Sequence, residues 1–180
     1  YYKLYSSPYD SFWCCTGSGM ENFTKVQEGI YFHDDKDLYI CRYVGSKLAW
    51  EKERLALKMN TVVQEDTLEV QIKFTEVPLR KFGLYLRIPD WLEKDAGLLL
   101  NGTSLKGEIQ NGYFYICREW MQNDVLELHM KMRLRIHGLP DNENAAAFSY
   151  GPYLLSAGLG NVMMDMTVTG VDVLVPKKEI

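Results

Sequence analysis

The sequence predicts a mainly β protein: an antiparallel β-sandwich or jelly roll preceded by one short helix. From about residue 30 onward, apolar and polar residues alternate with a period of two, as in antiparallel strands with one buried face. The strand-like runs are short and recur roughly every ten residues, which is typical of sandwiches and jelly rolls. Hydrophobic residues make up 47% of the 180 residues, enough for a packed core and evidence against disorder.

The helix is predicted to run from Ser18 to Glu28. Ser18 is followed three residues later by Glu21, the pattern of a capping box, so capping is the expected role of that carboxylate. Gly29 suits a left-handed residue that ends a helix. The adjacent cysteines Cys14 and Cys15 would then lie in a glycine-containing loop just before the helix begins.

The strands follow in order. Residues 30–33, a polar turn at 34–37 and residues 38–44 are typical of a hairpin, and residues 55–59 form a plausible next strand. The alternation is clearest over residues 67–74, 84–88 and 126–136, and the last of these predicts one long strand.

Turn-forming residues separate the later strands. Asn101-Gly102 and Asn111-Gly112 predict tight hairpin turns. Residues 140–144 form a polar break. After this break, a strand is predicted over residues 145–155, with a bend at Gly151-Pro152. Residues 171–175 predict a last short strand, and residues 161–169 are ambiguous.

The charge and hydropathy patterns exclude two classes of partner. The net charge is −4 and no basic run is present, which argues against nucleic acid as a ligand. No apolar stretch approaches the roughly 20 residues that a membrane span needs. Cys41 and Cys117 fall inside strand-like runs and are predicted to be buried, inert thiols. The three histidines, His33, His129 and His137, do not have metal-ligand spacing.

The Cys14-Cys15 pair is the strongest candidate for chemistry. The positive end of a helix dipole favours a thiolate over a thiol, and a thiolate is both a nucleophile and a soft metal ligand. Two inert alternatives stand beside this interpretation: a strained disulfide between neighbours, or two small residues packed in a core.

The string FWCCTGSGMENF at residues 12–23 resembles the cysteine motif of the β-L-arabinofuranosidase-type glycoside hydrolases, family 127 and its relative family 146. Other pieces agree in the same order and extend the resemblance over nearly all of the chain. They are residues 84–91, 100–102, 118–120 with Asp124, and 150–152.

The resemblance implies a domain order and a parent protein. Enzymes of this family have a helical (α/α)6 barrel followed by β-sandwich domains. Residues 1–30 would be the terminal segment of the barrel, residues 31–140 a β-sandwich, and residues 141–180 the start of a further β region or strands that pair back. The rest of the barrel would precede residue 1, and the substrate would be an L-arabinofuranoside or a related plant-type glycan.

The resemblance also implies roles for the cysteines. Cys14 would be the nucleophile of a retaining glycosidase, and Cys14 and Cys15 would be ligands of a zinc ion that a Glu and a third Cys complete. Those two ligands and the acid/base Glu would lie upstream, so the isolated chain is expected to be inactive and without zinc. This sequence also departs from the best-known branch of the family, having Thr16-Gly17-Ser18 where that branch has Pro-Pro-Asn.

A second hypothesis is a non-catalytic carbohydrate-binding or structural β-sandwich module. Trp13, Trp50, Trp91 and Trp120 include candidates for a sugar-stacking platform, although core packing is the commoner role of such residues. The alternating strands show no evident cluster of exposed aromatic residues, which favours the structural role.

Overall fold

A computed structural model describes residues 14–93 and 96–156 of the chain. Helix α1, Cys14–Lys25, continues into a 3₁₀ turn, Val26–Gly29, and a second 3₁₀ turn is formed by Glu51–Glu53. All other regular elements are strands. They are β1 Tyr31–His33, β2 Leu38–Ile40, β3 Ser46–Trp50, β4 Leu55–Gln64, β5 Thr67–Glu76, β6 Phe82–Arg87, β7 Gly97–Leu100, β8 Thr103–Ser104, β9 Glu108–Gln110, β10 Tyr113–Arg118, β11 Val125–Lys131, β12 Leu134–Leu139, β13 Asn142–Tyr150 and β14 Tyr153–Leu154.

Two sheets pack face to face and form a β-sandwich, which confirms the predicted fold class. The five-stranded sheet has the order β1-β2-β6-β10-β9, and the six-stranded sheet has the order β3-β4-β5-β11-β7-β8. The pairs are antiparallel except β2 with β6, which run parallel. The finer assignment as a jelly roll stays a prediction.

The core lies between the two sheets and follows the period-two pattern. In β5 and β11 the inward residues sit opposite one another in register, as Ile72 does with Leu126 and Val70 with Leu128. Each of these side chains is at most 2% exposed. Burial of such a side chain contributes about 1.5–3 kcal/mol, so the alternation largely determines which face of each strand points inward.

The prediction of one long strand over residues 126–136 is wrong. The chain leaves the sandwich after β11, Met132 forms an isolated bridge with Leu92, and β12 begins a separate three-stranded sheet with β13 and β14. Leu134 and Ile136 are 57% and 67% exposed. Alternation specifies which face a residue occupies but carries no information about which sheet receives the strand. The division into residues 1–30, 31–140 and 141–180 stays a prediction.

The helix begins four residues earlier than predicted, at Cys14 and not at Ser18. Ser18 therefore lies inside the helix, and the predicted capping box with Glu21 is wrong. Gly29 does end the 3₁₀ turn, but without the expected left-handed conformation. A β-carbon there would lie 2.9 Å from Cζ of Arg42, a contact that the flexible end of this exposed side chain can relieve.

The predicted tight turns are confirmed. Asn101 and Gly102 have φ angles of 50° and 77°, and Asn111 and Gly112 have 49° and 81°. Positive φ at both central residues is the signature of the type I′ turn that suits two-residue hairpins. Gly151, with φ of 54°, forms the bend between β13 and β14 at the predicted position. The predictions for residues 161–169 and 171–175 lie outside the described residues.

Candidate functional site

The Cys14-Cys15 pair occupies the first turn of helix α1. The sequence predicted a loop just before the helix, so the backbone position differs by one turn, while the pair still lies at the positive end of the helix dipole. The side chains of residues 14–16 and all of residues 1–13, including Trp13, lie outside what the structure describes. The roles of Cys14 and Cys15 as nucleophile and metal ligands therefore stay predictions.

Helix α1 exposes apolar side chains along its length. Met20 is 59% exposed and Phe23 is 84% exposed, and residues 18–28 are all exposed. The helix is therefore not part of the sandwich core.

The metal donors predicted from the sequence are the thiols of Cys14 and Cys15. Within residues 14–93 and 96–156, no group of three or more His, Cys, Asp or Glu side chains is arranged to hold a metal. Zinc sites use three or four protein ligands, and two adjacent thiolates supply half of a tetrahedral set. The chemistry of these donors suits zinc, provided that two further ligands come from chain outside the described residues.

The histidines have other neighbours. His33 packs against the ring of Trp50 with centroids 4.4 Å apart. Nδ1 of His129 lies 3.7 Å from a carboxylate oxygen of Glu69 on the charged outer face of the six-stranded sheet. Nε2 of His137 is hydrogen-bonded to Ser149 at 2.7 Å.

The outer face of the five-stranded sheet carries a tyrosine cluster, which comprises Tyr39, Tyr85, Tyr113 and Tyr115. The rings of Tyr39 and Tyr85 are stacked at 4.3 Å with an interplanar angle of 3°, and Tyr115 packs on Tyr85 at 4.5 Å. Tyr113 meets Tyr39 and Tyr85 edge-on. All four rings are partly exposed. The strands β2, β6 and β10 bring these half-buried rings together from positions that are distant in the sequence, and the absence of a cluster of fully exposed aromatic residues stays a prediction.

The tyrosine cluster favours neutral phenols. Loss of hydration, reinforced by the neighbouring Asp34 carboxylate, raises the pKa of Tyr39 to about 12. A hydrogen bond with Cys117, together with partial burial, raises the pKa of Tyr115, and a hydrogen bond with Cys41 does the same for the pKa of Tyr113. Because the tyrosines lie on the outer face, Cys117 beside them is exposed and Cys41 is only half-buried. The prediction of buried thiols is therefore wrong for Cys117.

A groove opens at the end of the sandwich where the parallel strands β2 and β6 both end. It has a volume of about 670 Å³, and the β13–β14 turn borders it on one side. The side chains that matter for its chemistry are Arg42, Tyr43, Thr61, Arg87, Trp91 and Tyr153. We call this cavity the end groove.

The motif pieces after the cysteines have structural roles in the described residues. Asp90 pairs with Arg135 and so links the end of β6 to β12. Asn101 is hydrogen-bonded to the buried Asp124. Trp120 is 4% exposed, and its indole N–H donates to the carbonyl of Phe82.

Residues 37–132 match the family described as "Beta-L-arabinofuranosidase, GH127 middle domain". The match covers more than half of the 180 residues. The chain belongs to the GH127 family.

Three solved structures resemble this GH127 chain. A GH127 β-L-arabinofuranosidase from Geobacillus stearothermophilus T6 has 25% identity and a TM-score of 0.65, over 78% of this chain and 23% of that one. A protein described as a glycoside hydrolase has 26% identity and a TM-score of 0.67, over 85% and 27%. The GH127 β-arabinofuranosidase BT3674 shares the fold at 23% identity and a TM-score of 0.63, over 78% and 25%.

The GH127 chain therefore spans about a quarter of the length of these solved structures. None of the curated proteins gives a match. In the part of the chain that the structure describes, no helix is both long and apolar enough to cross a membrane.

Sequence reasoning missed two surface features of this GH127 chain, the tyrosine cluster and the end groove. Tyr39, Tyr85 and Tyr115 were each visible on the polar face of a predicted strand, and that signal could have suggested an aromatic face. Nothing in the sequence pattern indicated that β2 and β6 are parallel neighbours, which is what opens the end groove.

Proposed function

We propose that this chain is the later part of a retaining glycoside hydrolase that acts on L-arabinofuranosides or related plant-type glycans. The observation that supports the proposal is the order of the chain: Cys14 and Cys15 start a helix that leads directly into the GH127 middle domain at residues 37–132. In this proposal the helical domain that precedes residue 1 holds the remainder of the active site.

Cys14 is the proposed nucleophile. Its thiolate attacks the anomeric carbon, a C–S bond forms, and the glycosidic C–O bond breaks as a carboxylic acid protonates the leaving oxygen. Water then attacks the same carbon while the carboxylate that gave up its proton takes one from the water; the C–S bond breaks and the thiolate returns, so that two inversions give net retention. Most retaining glycosidases use a carboxylate for this step, and a cysteine in its place is a departure from the common scheme.

Cys14 and Cys15 are the residues of this chain that would hold a zinc ion, with a Glu and a third Cys from the preceding domain. Bound zinc would keep the sulfurs deprotonated near neutral pH. The start of helix α1 acts in the same direction, because its backbone N–H groups favour negative charge at this position.

The described sandwich has an accessory role in this proposal. Apolar side chains on helix α1, among them Met20 and Phe23, are left uncovered in the described residues. A helical domain packed against them would bury this surface and hold the Cys pair in place.

The proposal is tested in the full-length protein with Cys14→Ser. We expect hydrolysis of an aryl L-arabinofuranoside to be abolished without loss of the folded state, because a serine hydroxyl stays protonated and is a far weaker nucleophile. Cys117→Ser is the matched control, since this thiol is exposed on the sandwich and should leave the rate unchanged.

Covalent trapping of the glycosyl-enzyme intermediate tests the identity of the nucleophile directly. A mechanism-based sugar reagent should leave a covalent adduct on Cys14, located by mass spectrometry of the digested protein. An adduct on any other side chain would refute the proposed nucleophile.

A further inference from the structure

The end groove combines an aromatic wall, cationic side chains and a hydroxyl group without a partner. Its volume of about 670 Å³ lies within the roughly 300–1,000 Å³ of small-molecule sites. We propose that it binds a saccharide that carries a carboxylate, such as a uronic acid unit. The choice of a saccharide among carboxylates rests on the proposed function above.

The cationic part of the end groove is formed by Arg87; Arg42 also lines the groove, but its guanidinium lies against Gly29. Both side chains are exposed, and neither guanidinium forms an ion pair with any carboxylate in the described residues. The Asp90 carboxylate is paired with Arg135, which is the main reason that its pKa is lowered, and Arg87 adds only a weaker attraction without an ion pair. A guanidinium matches a carboxylate in a two-pronged hydrogen bond, so a free Arg side chain beside a cavity favours an anionic ligand.

A hydrogen bond from Tyr43 holds the backbone of Arg87 in position. The phenol hydroxyl of Tyr43 donates to the backbone carbonyl of Arg87 at 2.6 Å, and burial raises the pKa of that phenol. The end of β6 is therefore held in place, and the Arg87 side chain starts from a fixed backbone.

The apolar part of the end groove is formed by Trp91 and Tyr153, with Pro89 and Pro152 beside them. The C–H faces of a sugar ring pack well on aromatic and proline surfaces, whereas an inorganic anion makes no use of them. The combination therefore favours an organic ring that bears a charged group over a free phosphate or sulfate.

Thr61 supplies an unsatisfied hydroxyl group at the end groove. Its Oγ1 is buried, and it is the one such side-chain atom in the described residues without a hydrogen-bond partner. A buried hydroxyl without a partner is costly, and because Thr61 lines the end groove, a ligand hydroxyl that reaches Oγ1 from the groove would satisfy it. Sugar hydroxyls both donate and accept hydrogen bonds. A saccharide with a carboxylate therefore matches the arginine, the aromatic wall and the Thr61 hydroxyl at once.

The test uses the full-length protein and isothermal titration calorimetry. The probes are the methyl glycosides of glucuronic and galacturonic acid, methyl glucoside as the neutral counterpart, and sodium acetate as the carboxylate alone. We expect at least one uronide to bind about tenfold or more tightly than methyl glucoside and acetate. The proposal is overturned if neither uronide binds, or if methyl glucoside or acetate binds as tightly as the uronides.

Variants assign the binding to the end groove. Arg87→Gln should weaken uronide binding about tenfold. Arg54→Gln is the matched control, because this arginine lies just before β4 and so at the end of that strand remote from Thr61. Thr61→Val should weaken binding while leaving the protein as stable or more stable, since it removes a hydroxyl that has no partner. Unchanged affinity in Arg87→Gln overturns the proposal.

The same measurements separate this proposal from the proposed function. Cys14→Ser should abolish hydrolysis and leave uronide binding intact. If the protein binds uronides but does not hydrolyse arabinofuranosides, only the proposed function fails. If hydrolysis is normal and no uronide binds, only the end-groove proposal fails.

Discussion

Asn101 and Asp124 join two loops of the sandwich through a hydrogen bond between an exposed amide and a buried carboxylate. Nδ2 of Asn101 donates to Oδ1 of Asp124 at 2.8 Å, and Asp124 is 4% exposed. The other carboxylate oxygen accepts the backbone N–H of Met121 at 2.9 Å, while Oδ1 of Asn101 accepts that of Val125 at 2.8 Å. The β7–β8 turn is thereby tied to the start of β11.

Asp124→Ala should lower the free energy of unfolding by about 3 kcal/mol. The substitution removes two hydrogen bonds to a charged group and leaves the Asn101 amide and the Met121 N–H without their acceptor. Urea unfolding measures the loss. Asp141→Ala, at an exposed turn carboxylate, should change the same quantity by less than about 0.5 kcal/mol. Equal stability of the two variants would contradict a structural role for the pair.

Gly83→Ala should destabilise the protein by about 1–3 kcal/mol and disturb the tyrosine cluster. A β-carbon at this position would lie 2.5 Å from Cε2 of Tyr115 and 2.8 Å from Cγ of Asp37. The carboxylate of Asp37 also accepts a hydrogen bond from the Gly83 backbone N–H. Tyr115 cannot move aside without losing its contact with Tyr85. Urea unfolding and near-UV circular dichroism measure the two effects.

Gly138→Ala is the control for that substitution, because no atom lies within 4 Å of the added methyl group. It should leave both the unfolding free energy and the tyrosine signal close to those of the unchanged protein. A Gly83→Ala variant that behaves like Gly138→Ala would show that the crowding around Tyr115 is absent in solution.

Tyr39 should lose its proton near pH 12, about two pH units above its ordinary value of 10.0. Because the folded state holds the proton more tightly than the unfolded state, its contribution to stability is fully present below pH 10 and is lost as the pH rises from 10 toward 12. Nuclear magnetic resonance with ¹³C-labelled tyrosine follows the ionisation, and Tyr39→Phe assigns the signal.

Asp34→Asn should bring the pKa of Tyr39 back toward 10.0. The amide keeps an acceptor for the backbone N–H groups of Lys36 and Asp37, while the negative charge next to the phenol is removed. Asp35→Asn removes a neighbouring charge that does not contact Tyr39 and should leave the titration unchanged. An unaltered Tyr39 titration in Asp34→Asn would rule out the carboxylate as a cause of the shift.

The isolated 180-residue chain should not hydrolyse an aryl L-arabinofuranoside and should not retain zinc after dialysis. Two thiols fall short of the three or four ligands of a zinc site, and under the proposed function the proton donor would come from a preceding domain. Product release followed by absorbance and metal content measured by atomic absorption test the two statements. Turnover by this chain that disappears in Cys14→Ser would contradict the assignment of the acid to another domain.

The start of helix α1 and the proposed metal site show what a local sequence pattern does not predict. Ser18 and Glu21 have the spacing of a capping box, yet helix α1 begins at Cys14, and the glycines at 17 and 19 lie within it. The identity of Cys14 as a chemical candidate comes from its neighbours in the sequence, whereas the partners proposed to complete a site are not among the described residues.

The inward face of each strand and the sharpest turns are predictable from the order of the amino acids alone. Ile72 and Leu126 are buried because every second residue of their strands is apolar, and Asn101-Gly102 turns tightly because those residues tolerate positive φ at little cost. Which strands become neighbours is not predictable in this way, since pairing depends on how two hydrophobic faces pack and on long-range hydrogen bonds. The tyrosine cluster, the end groove beside Arg87 and the departure of the chain at Met132 all follow from that pairing.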